Sequence, residues 1–306
     1  MSIDIARAPH RVLVLGATGM LGAMVTDVLS RDPSFAVTVT ARDPVRPGVA
    51  GPASAVPCIT FDAERDPLPA MDAFDWVINC IGIIKPYIKE DDPSSTKRAV
   101  RVNALLPHLL ADAAAAAGVH VLQIATDCVY SGKTGLYDEP ALHDALDVYG
   151  KSKSLGEVGG VTMHHLRCSI IGPEVHGHVS LLDWFRRQER GATLTGYTNH
   201  LWNGVTTYHF ARICAGIIRS GLALPSRLHV VPTGLVTKAA MLEGFATAYE
   251  RADLVIRHGE AQTVVDRTVQ TGHTETNLAT WRAAGYETPP TFAEMIAELA
   301  AHPFNT

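Results

Sequence analysis

Between residues 11 and 170 the chain alternates short apolar runs with stretches whose apolar residues return every three or four positions. The runs at 11–15, 36–41, 57–61, 75–80, 119–125 and 162–168 read as strands. After the first of them, Met20, Leu21, Met24, Val25, Val28 and Leu29 trace one face of a helix. The alanine-rich stretch 111–117 reads as a helix stopped by Gly118, whereas 43–57 holds so many Pro and Gly residues that a loop is expected. This alternation predicts an α/β fold, a doubly wound parallel sheet covered by helices on both faces.

Past Gly172 the rhythm changes. Residues 181–190 form an amphipathic pattern, 191–207 an aromatic and polar loop or short strands, and 210–220 a helix with Ala211, Cys214, Ile217 and Ile218 apolar. Residues 227–231, 237–250 and 291–301 suggest strand, helix and helix, and no internal repeat is visible. The expected division is a sheet domain over 1–172 that also receives 205–232. Residues 173–204 and 233–306 would form a smaller interleaved lobe capping the cleft.

The first strand runs into Gly16-Ala17-Thr18-Gly19-Met20-Leu21-Gly22. Gly16 can make a tight turn, Gly19 lets the backbone approach a pyrophosphate, and Gly22 lets the helix pack closely on the strand. The free N–H groups opening that helix then face an anion. A lone glycine motif also fits an ordinary βα turn, but strand, turn and helix in this order are the context that dinucleotide binding requires.

A second pattern runs from Ile124 to Glu157. Thr126-Asp127 ends an apolar run, and Tyr149 stands one helical turn before Lys153. A phenol titrates near ~10, and a lysine charge close by stabilises phenolate and lowers that value. Tyr149, Lys153 and Thr126 together could move a proton on or off a carbonyl or alcohol oxygen, although the same spacing also suits a solvated helix face.

Composition narrows the possibilities. Of 306 residues 47% are apolar, which suits a globular protein, and a net charge of −5 without a basic stripe argues against a nucleic-acid partner. No run of 18 apolar residues exists and the first ten residues lack a signal-like stretch, so a cytoplasmic protein without a membrane span is expected. Cys58, Cys80, Cys128, Cys168 and Cys214 form no C-x-x-C pair and read as free buried thiols. Among the fourteen histidines, His164-His165 and His176-x-His178 have no acidic or thiol partner at suitable spacing, and no metal site is expected.

With G-x-x-G-x-x-G in this position, the chain resembles extended short-chain dehydrogenases/reductases, a Rossmann-like family. Within it the resemblance is closest to the dTDP-4-dehydrorhamnose reductase-like sugar-nucleotide reductases. It rests on Val102-Asn103-Ala104-x-x-Pro107-x-x-Leu110-Ala111, on Thr126-Asp127-x-Val129-Tyr130-x-Gly132, and on Tyr149-Gly150-x-Ser152-Lys153-x-x-Gly156-Glu157. It covers roughly residues 11–175; beyond them Leu166-Arg167-x-Ser169 is recognisable, and Val205-Thr206 stands where the family carries Pro-Thr.

The resemblance implies roles. Gly16, Thr18, Gly19, Met20 and Leu21 would cradle the cofactor pyrophosphate, Asp62 would contact adenine, and Cys80, Ile81 and Gly82 would line the cofactor. Asn103 would complete a catalytic set with Thr126, Tyr149 and Lys153 and hold a relay water; Lys153 would also bond the nicotinamide ribose. Arg42, after the second strand, could pair with a ribose 2′-phosphate and favours NADPH, with NADH left open because Asp43 follows it. Lys85 could meet a diphosphate, Asp127 the sugar, and Trp184, Tyr197, Trp202 and Asn203 the base and sugar. The implied activity is NAD(P)H-dependent reduction of a nucleotide-linked 4-keto-6-deoxysugar, with a homodimer compatible. Epimerisation stays open. Dehydration is disfavoured, because Thr126-Asp127-Cys128 places a thiol where that chemistry keeps a glutamate. The resemblance also extends to a regulatory subunit of methionine adenosyltransferase, a non-catalytic binding protein.

Overall fold

Val12 and Val14 join the apolar cluster on one face of a sheet while Leu13 and Leu15 join the cluster on the other, and all four are fully buried. A strand apolar on both sides belongs in the middle of a covered parallel sheet, and the computed structural model, which describes residues 8–43 and 56–304, places it there. The strands β1 (His10–Leu15), β2 (Phe35–Ala41), β3 (Cys58–Thr60), β4 (Trp76–Asn79), β5 (His120–Ala125) and β6 (Met163–Arg167) fall on the six expected runs, each within about two residues at its ends. Strands β7 (Ile170–Ile171), β8 (Thr193–Tyr197), β9 (Leu201–Trp202), β10 (Val205–Thr206) and β11 (Arg227–His229) follow. The seven-stranded sheet has the order β11-β6-β5-β4-β1-β2-β3, all parallel. The order reverses between β1 and β4, which is where such sheets bind ligands at their carboxyl ends.

Helices α1 (Met20–Ser30), α2 (Pro93–Ala99), α3 (Leu106–Ala117), α4 (Val148–Leu155), α5 (Leu181–Arg186) and α6 (Thr207–Ser220) cover the sheet and begin the segments outside it. Met24, Val25 and Leu29 of α1 share one cluster with Phe210, Ile213 and Ile217 of α6, while Leu106, Leu110 and Ala114 of α3 share the other. Between α2 and α3, residues Val100–Leu105 widen into a π-helical turn. Pro107 explains it: the proline has no N–H to donate and its ring crowds the preceding turn, so the helix loosens just before it and restarts with Pro107 in its first turn.

Outside the large sheet stand β12 (Val236–Thr237), α7 (Lys238–Ala248), β13 (Val255–Gly259), α8 (Thr274–Ala283) and α9 (Phe292–Ala301) together with α5, β8 and β9. They share the core of the sheet: Phe185, Phe245 and Phe292 belong to the same cluster as α1 and α6. Three expectations are corrected here. The amphipathic helix stops at Arg186 rather than 190, five residues ahead of the left-handed Gly191 (φ +76°). Helix α8, read as no element, buries the polar Asn277 and Thr280 beside Trp281; Asn277 clamps both backbone groups of Val231 at 3.0 and 3.1 Å. Of the five free cysteines, Cys58 is exposed on the edge strand rather than buried. Most of the expected 43–57 loop, residues 44–55, lies outside the described residues. Among the described residues no helix is long and apolar enough to cross a membrane.

Candidate active site

The glycine turn is built as its sequence suggests. Gly16 adopts φ +82°, and a Cβ there would stand 2.8 Å from Ile81 Cγ1, so the turns after β1 and β4 touch. A Cβ on Gly22 would lie 2.2 Å from the Gly16 carbonyl oxygen, an overlap with backbone that side-chain motion cannot relieve. Thr40 braces the turn: its hydroxyl accepts the Gly16 N–H (3.0 Å) and its carbonyl the Ala17 N–H (3.0 Å). At the start of α1, Gly19 offers no side-chain cap and the first turn holds no acid, which leaves orphan N–H groups and the positive helix end for an anion. Thr18, Gly19, Met20 and Leu21 are therefore placed to hold a pyrophosphate. Arg42 is exposed in the bend after β2. Asp62 is engaged in its own turn, accepting the Glu64 N–H at 2.9 Å and lying 3.8 Å from Arg65. After β4, the Asn79 amide donates to Gln123 and accepts the Ile81 N–H (2.7 and 3.0 Å), shaping the turn that carries Cys80, Ile81 and Gly82.

At the end of β5, Thr126 caps a short turn over Asp127–Val129, accepting the Cys128 N–H at 3.1 Å. Helix α4 is brought against this turn by two glycines. A Cβ on Gly150 would lie 2.5 Å from the Cys128 carbonyl oxygen, and one on Gly156 would lie 2.0 Å from that of Asn103. Only bare backbone permits both approaches, and they set Tyr149 beside Thr126. Asp147 caps α4, accepting the Gly150 N–H at 2.7 Å, and Lys85 pairs with the same carboxylate at 2.7 Å.

The electrostatics differ from expectation. Burial pushes the Tyr149 phenol well above its ordinary 10, with Cys128, Asp127 and Asp147 adding to the effect and a hydrogen bond with Thr126 opposing it. Lys153 is shifted too: burial pulls the lysine down to about 8 against the pull of Glu157, and its ammonium donates to the Ile124 carbonyl at 2.9 Å. In the free protein Tyr149 is thus a neutral acid. Burial likewise raises Asp127, opposed by Arg267, Thr126 and Lys238.

Several sequence assignments are occupied by the fold. The Asn103 amide accepts the Ile83 N–H (2.8 Å) and donates to the Ile83 carbonyl (2.9 Å) and to Ser152 (3.1 Å), so both its donors are spent bracing α4 against the turn after β4. Trp202 is 5% exposed, donates to Ser169 at 2.8 Å and packs edge-on against Phe292, so it is core and not a stacking platform. Asn203 uses its amide to clamp Val269 at 2.6 and 3.0 Å. Trp184 and Tyr197 are exposed on α5 and at the end of β8.

Two residues outside the sheet were not found from sequence. Lys238 opens α7, its ammonium 3.5 Å from Met241 Sδ and 6.0 Å from the centre of the Trp202 ring, and it pulls electrostatically on Asp127. Arg267 donates to the Tyr130 carbonyl at 2.8 Å and pulls on Asp127, Cys128 and Asp147. Nothing in their local sequence marks them, because only the tertiary fold brings residues 110 and more positions away to the end of β5.

The RmlD substrate binding domain model matches residues 10–301. The solved dTDP-4-dehydrorhamnose reductase from Bacillus anthracis str. Ames, in complex with NADP, is similar with a TM-score of 0.69 at 16% identity, covering 95% of this chain and 98% of that one. The NAD-dependent NDP-hexosamine 5,6-dehydratase TunA of tunicamycin biosynthesis gives 0.71 at 14% identity, over 95% and 97% of the two chains. UDP-glucuronic acid 4-epimerase from Bacillus cereus, with NAD, gives 0.70 at 14% identity over 95% and 98%. Methionine adenosyltransferase 2 subunit beta of Bos taurus is 28% identical over 179 residues, 57% of this chain and 49% of that protein. The chain thus spans about half the length of the curated relatives it matches. With a family model running from the first sheet strand to the last helix, the protein belongs to the RmlD substrate binding domain family, on the Rossmann-like fold that it shares with the solved dTDP-4-dehydrorhamnose reductase.

Proposed function

We propose that the protein is an NAD(P)H-dependent reductase of a nucleotide-linked 4-keto-6-deoxysugar, of the dTDP-4-dehydrorhamnose reductase type, working in deoxysugar biosynthesis in the cytoplasm. The observation that carries the reading is the arrangement at the end of β5: a buried Tyr149 phenol beside the Thr126 hydroxyl, with Lys153 one helical turn along and its ammonium fixed on the Ile124 carbonyl at 2.9 Å. Ketone reduction needs a proton donor at the forming alkoxide, and a neutral phenol is that donor. Thr126 would orient the carbonyl oxygen, and Lys153, tied to Ile124, would hold the ribose side of the cofactor. When bound, the nicotinamide cofactor supplies the hydride; the chain supplies position, a water-poor site and the proton. Segments 173–204 and 233–306 are the substrate lobe in this reading, with Lys238 and Arg267 as its cations and Lys85 facing it from the turn after β4.

The test follows NADPH and NADH absorbance against dTDP-, UDP-, GDP- and CDP-linked 4-keto-6-deoxysugars. Turnover is expected with at least one, abolished in Tyr149→Phe while cofactor binding survives. Two other readings have support. The fold shared with a 4-epimerase would gain if a 4-hydroxy sugar were inverted without net cofactor use. The likeness to a methionine adenosyltransferase subunit would gain if cofactor bound tightly and no keto-sugar turned over.

A further inference from the structure

Glu157 follows Lys153 by one helical turn, just past the end of α4, and the reductase chemistry gives it no part. Its side chain is 3% exposed, which for a carboxylate demands partners. Arg167, itself 1% exposed, supplies them: its Nε donates to Glu157 Oε1 at 3.0 Å and its Nη2 reaches Oε2. The pair closes a ring around the catalytic lysine. Lys153 donates to the Ile124 carbonyl; Ile124 is followed by Ala125, which lies in register with Arg167 across β5 and β6; Arg167 grips Glu157; and Glu157 returns to Lys153 through one turn of chain. Ammonium and carboxylate are therefore both anchored on the neighbouring strands β5 and β6, the first through Ile124 and the second through Arg167.

The surroundings leave that carboxylate as the charge that acts on Lys153. Facing Glu157 are Arg167, Arg227 at 3.5 Å, His143 at 3.9 Å and His165. Burial pushes both histidines below their ordinary value, so they are neutral near pH 7. Behind Arg167 stand Tyr130 and His229, whose backbone N–H is accepted by Glu139 at 2.9 Å. Facing Lys153 are Tyr149 on its own helix, neutral, the Gly82 turn, and His165 from β6. Burial alone drives an ammonium toward the neutral amine.

We propose that Glu157 is a positioning residue that keeps Lys153 in its ammonium form, and that Arg167 is the clamp holding the carboxylate in place. The inference rests on Lys153 working as a cation, and it concerns the chain alone, whatever sugar is reduced.

The test needs no substrate. In protein labelled at lysine Cε with carbon-13, the Lys153 resonance (assigned by its loss in Lys153→Met) is titrated by NMR. The wild-type midpoint is expected near 8. Glu157→Gln should lower it by about one unit or more, while Glu157→Asp, which keeps the charge, should stay near wild type. Because Glu157→Gln leaves a buried guanidinium unpaired, Glu157→Gln/Arg167→Gln is measured beside it; it removes both charges and should lower the midpoint as well. An unchanged midpoint in the double variant, or an equal fall in Glu157→Asp, overturns the proposal. If no keto-sugar is ever turned over, this titration still stands, so the two failures are separable.

Discussion

Gly150→Ala tests whether the approach of α4 to the Thr126 turn is what assembles the site. Two effects oppose each other. Alanine is the better helix former by about 1 kcal/mol, and Gly150 does not use a left-handed φ, so local backbone preference favours the change. Against it, the new methyl would stand 2.5 Å from the Cys128 carbonyl oxygen and 2.4 Å from Ala145 Cβ. Ordinary contact is ~3.5–4.0 Å, so helix and turn must part by about 1 Å. Overpacking of this kind costs about 1–3 kcal/mol, which outweighs the propensity gain and leaves a small net loss of stability. The effect on chemistry is larger, since a misplacement of about 1 Å at reacting groups costs roughly 100-fold in rate. The expected outcome is a melting temperature lowered by a few degrees, NADPH affinity near wild type because the glycine turn after β1 is untouched, and kcat down by roughly two orders of magnitude. Turnover within a few-fold of wild type in a folded Gly150→Ala protein would refute the argument that Tyr149 and Thr126 must be held in contact.

Other expectations follow from the same geometry. Reduction should fall as pH rises through about 8, where Lys153 loses its proton, while Tyr149 stays neutral throughout; a rate that climbs over that range contradicts the assignment. Burial holds His165, His209 and His229 neutral, at about 4, 3 and 4 against an ordinary 6.5. The unfolded chain therefore takes up protons first, so stability is whole above 6.5 and drains as pH falls toward the folded values; thermal melts across this range should show it, and a melting temperature flat down to about 5 would count against it. Lys238→Met should raise the substrate KM by roughly ten-fold or more, the cost of a charged hydrogen bond, without changing NADPH affinity. Asn203→Leu strands two backbone groups of Val269 and should cost about 1–3 kcal/mol in denaturant unfolding; a selective rise in KM with stability intact would restore Asn203 to the substrate site.

The sheet was readable because its signal is local. A strand buried on both faces is a continuous apolar run, and a helix that follows a glycine turn repeats its apolar face, so β1, α1 and the six sheet strands stand out one by one. Helix α8 was not readable because its inward face is Asn277, Thr280 and Trp281, of which Asn277 and Trp281 bond the backbone of Val231, 46 and 50 residues earlier, and Thr280 the Thr276 carbonyl of its own helix. Elements that bury polar groups against distant partners carry no periodic apolar mark.

The site divides along the same line. Spacing along one helix put Tyr149 and Lys153 on one face, and Gly150 between them and Gly156 beyond them could be recognised, but their purpose lies across space, in the carbonyls of Cys128 and Asn103. Polar residues near the cleft were the least legible, because a polar side chain can serve either a ligand or the fold, and sequence does not say which. Asn103 and Asn203 went to the fold, each with its amide donors spent on backbone or a neighbouring hydroxyl. Lys238 went the other way: its ammonium meets a thioether at 3.5 Å, a weak acceptor for a group that can donate three hydrogen bonds. A half-buried cation so poorly served, within electrostatic reach of Asp127 and Cys128, is the side chain that a substrate oxygen would satisfy, and under the proposed function it would place the choice of sugar outside the sheet.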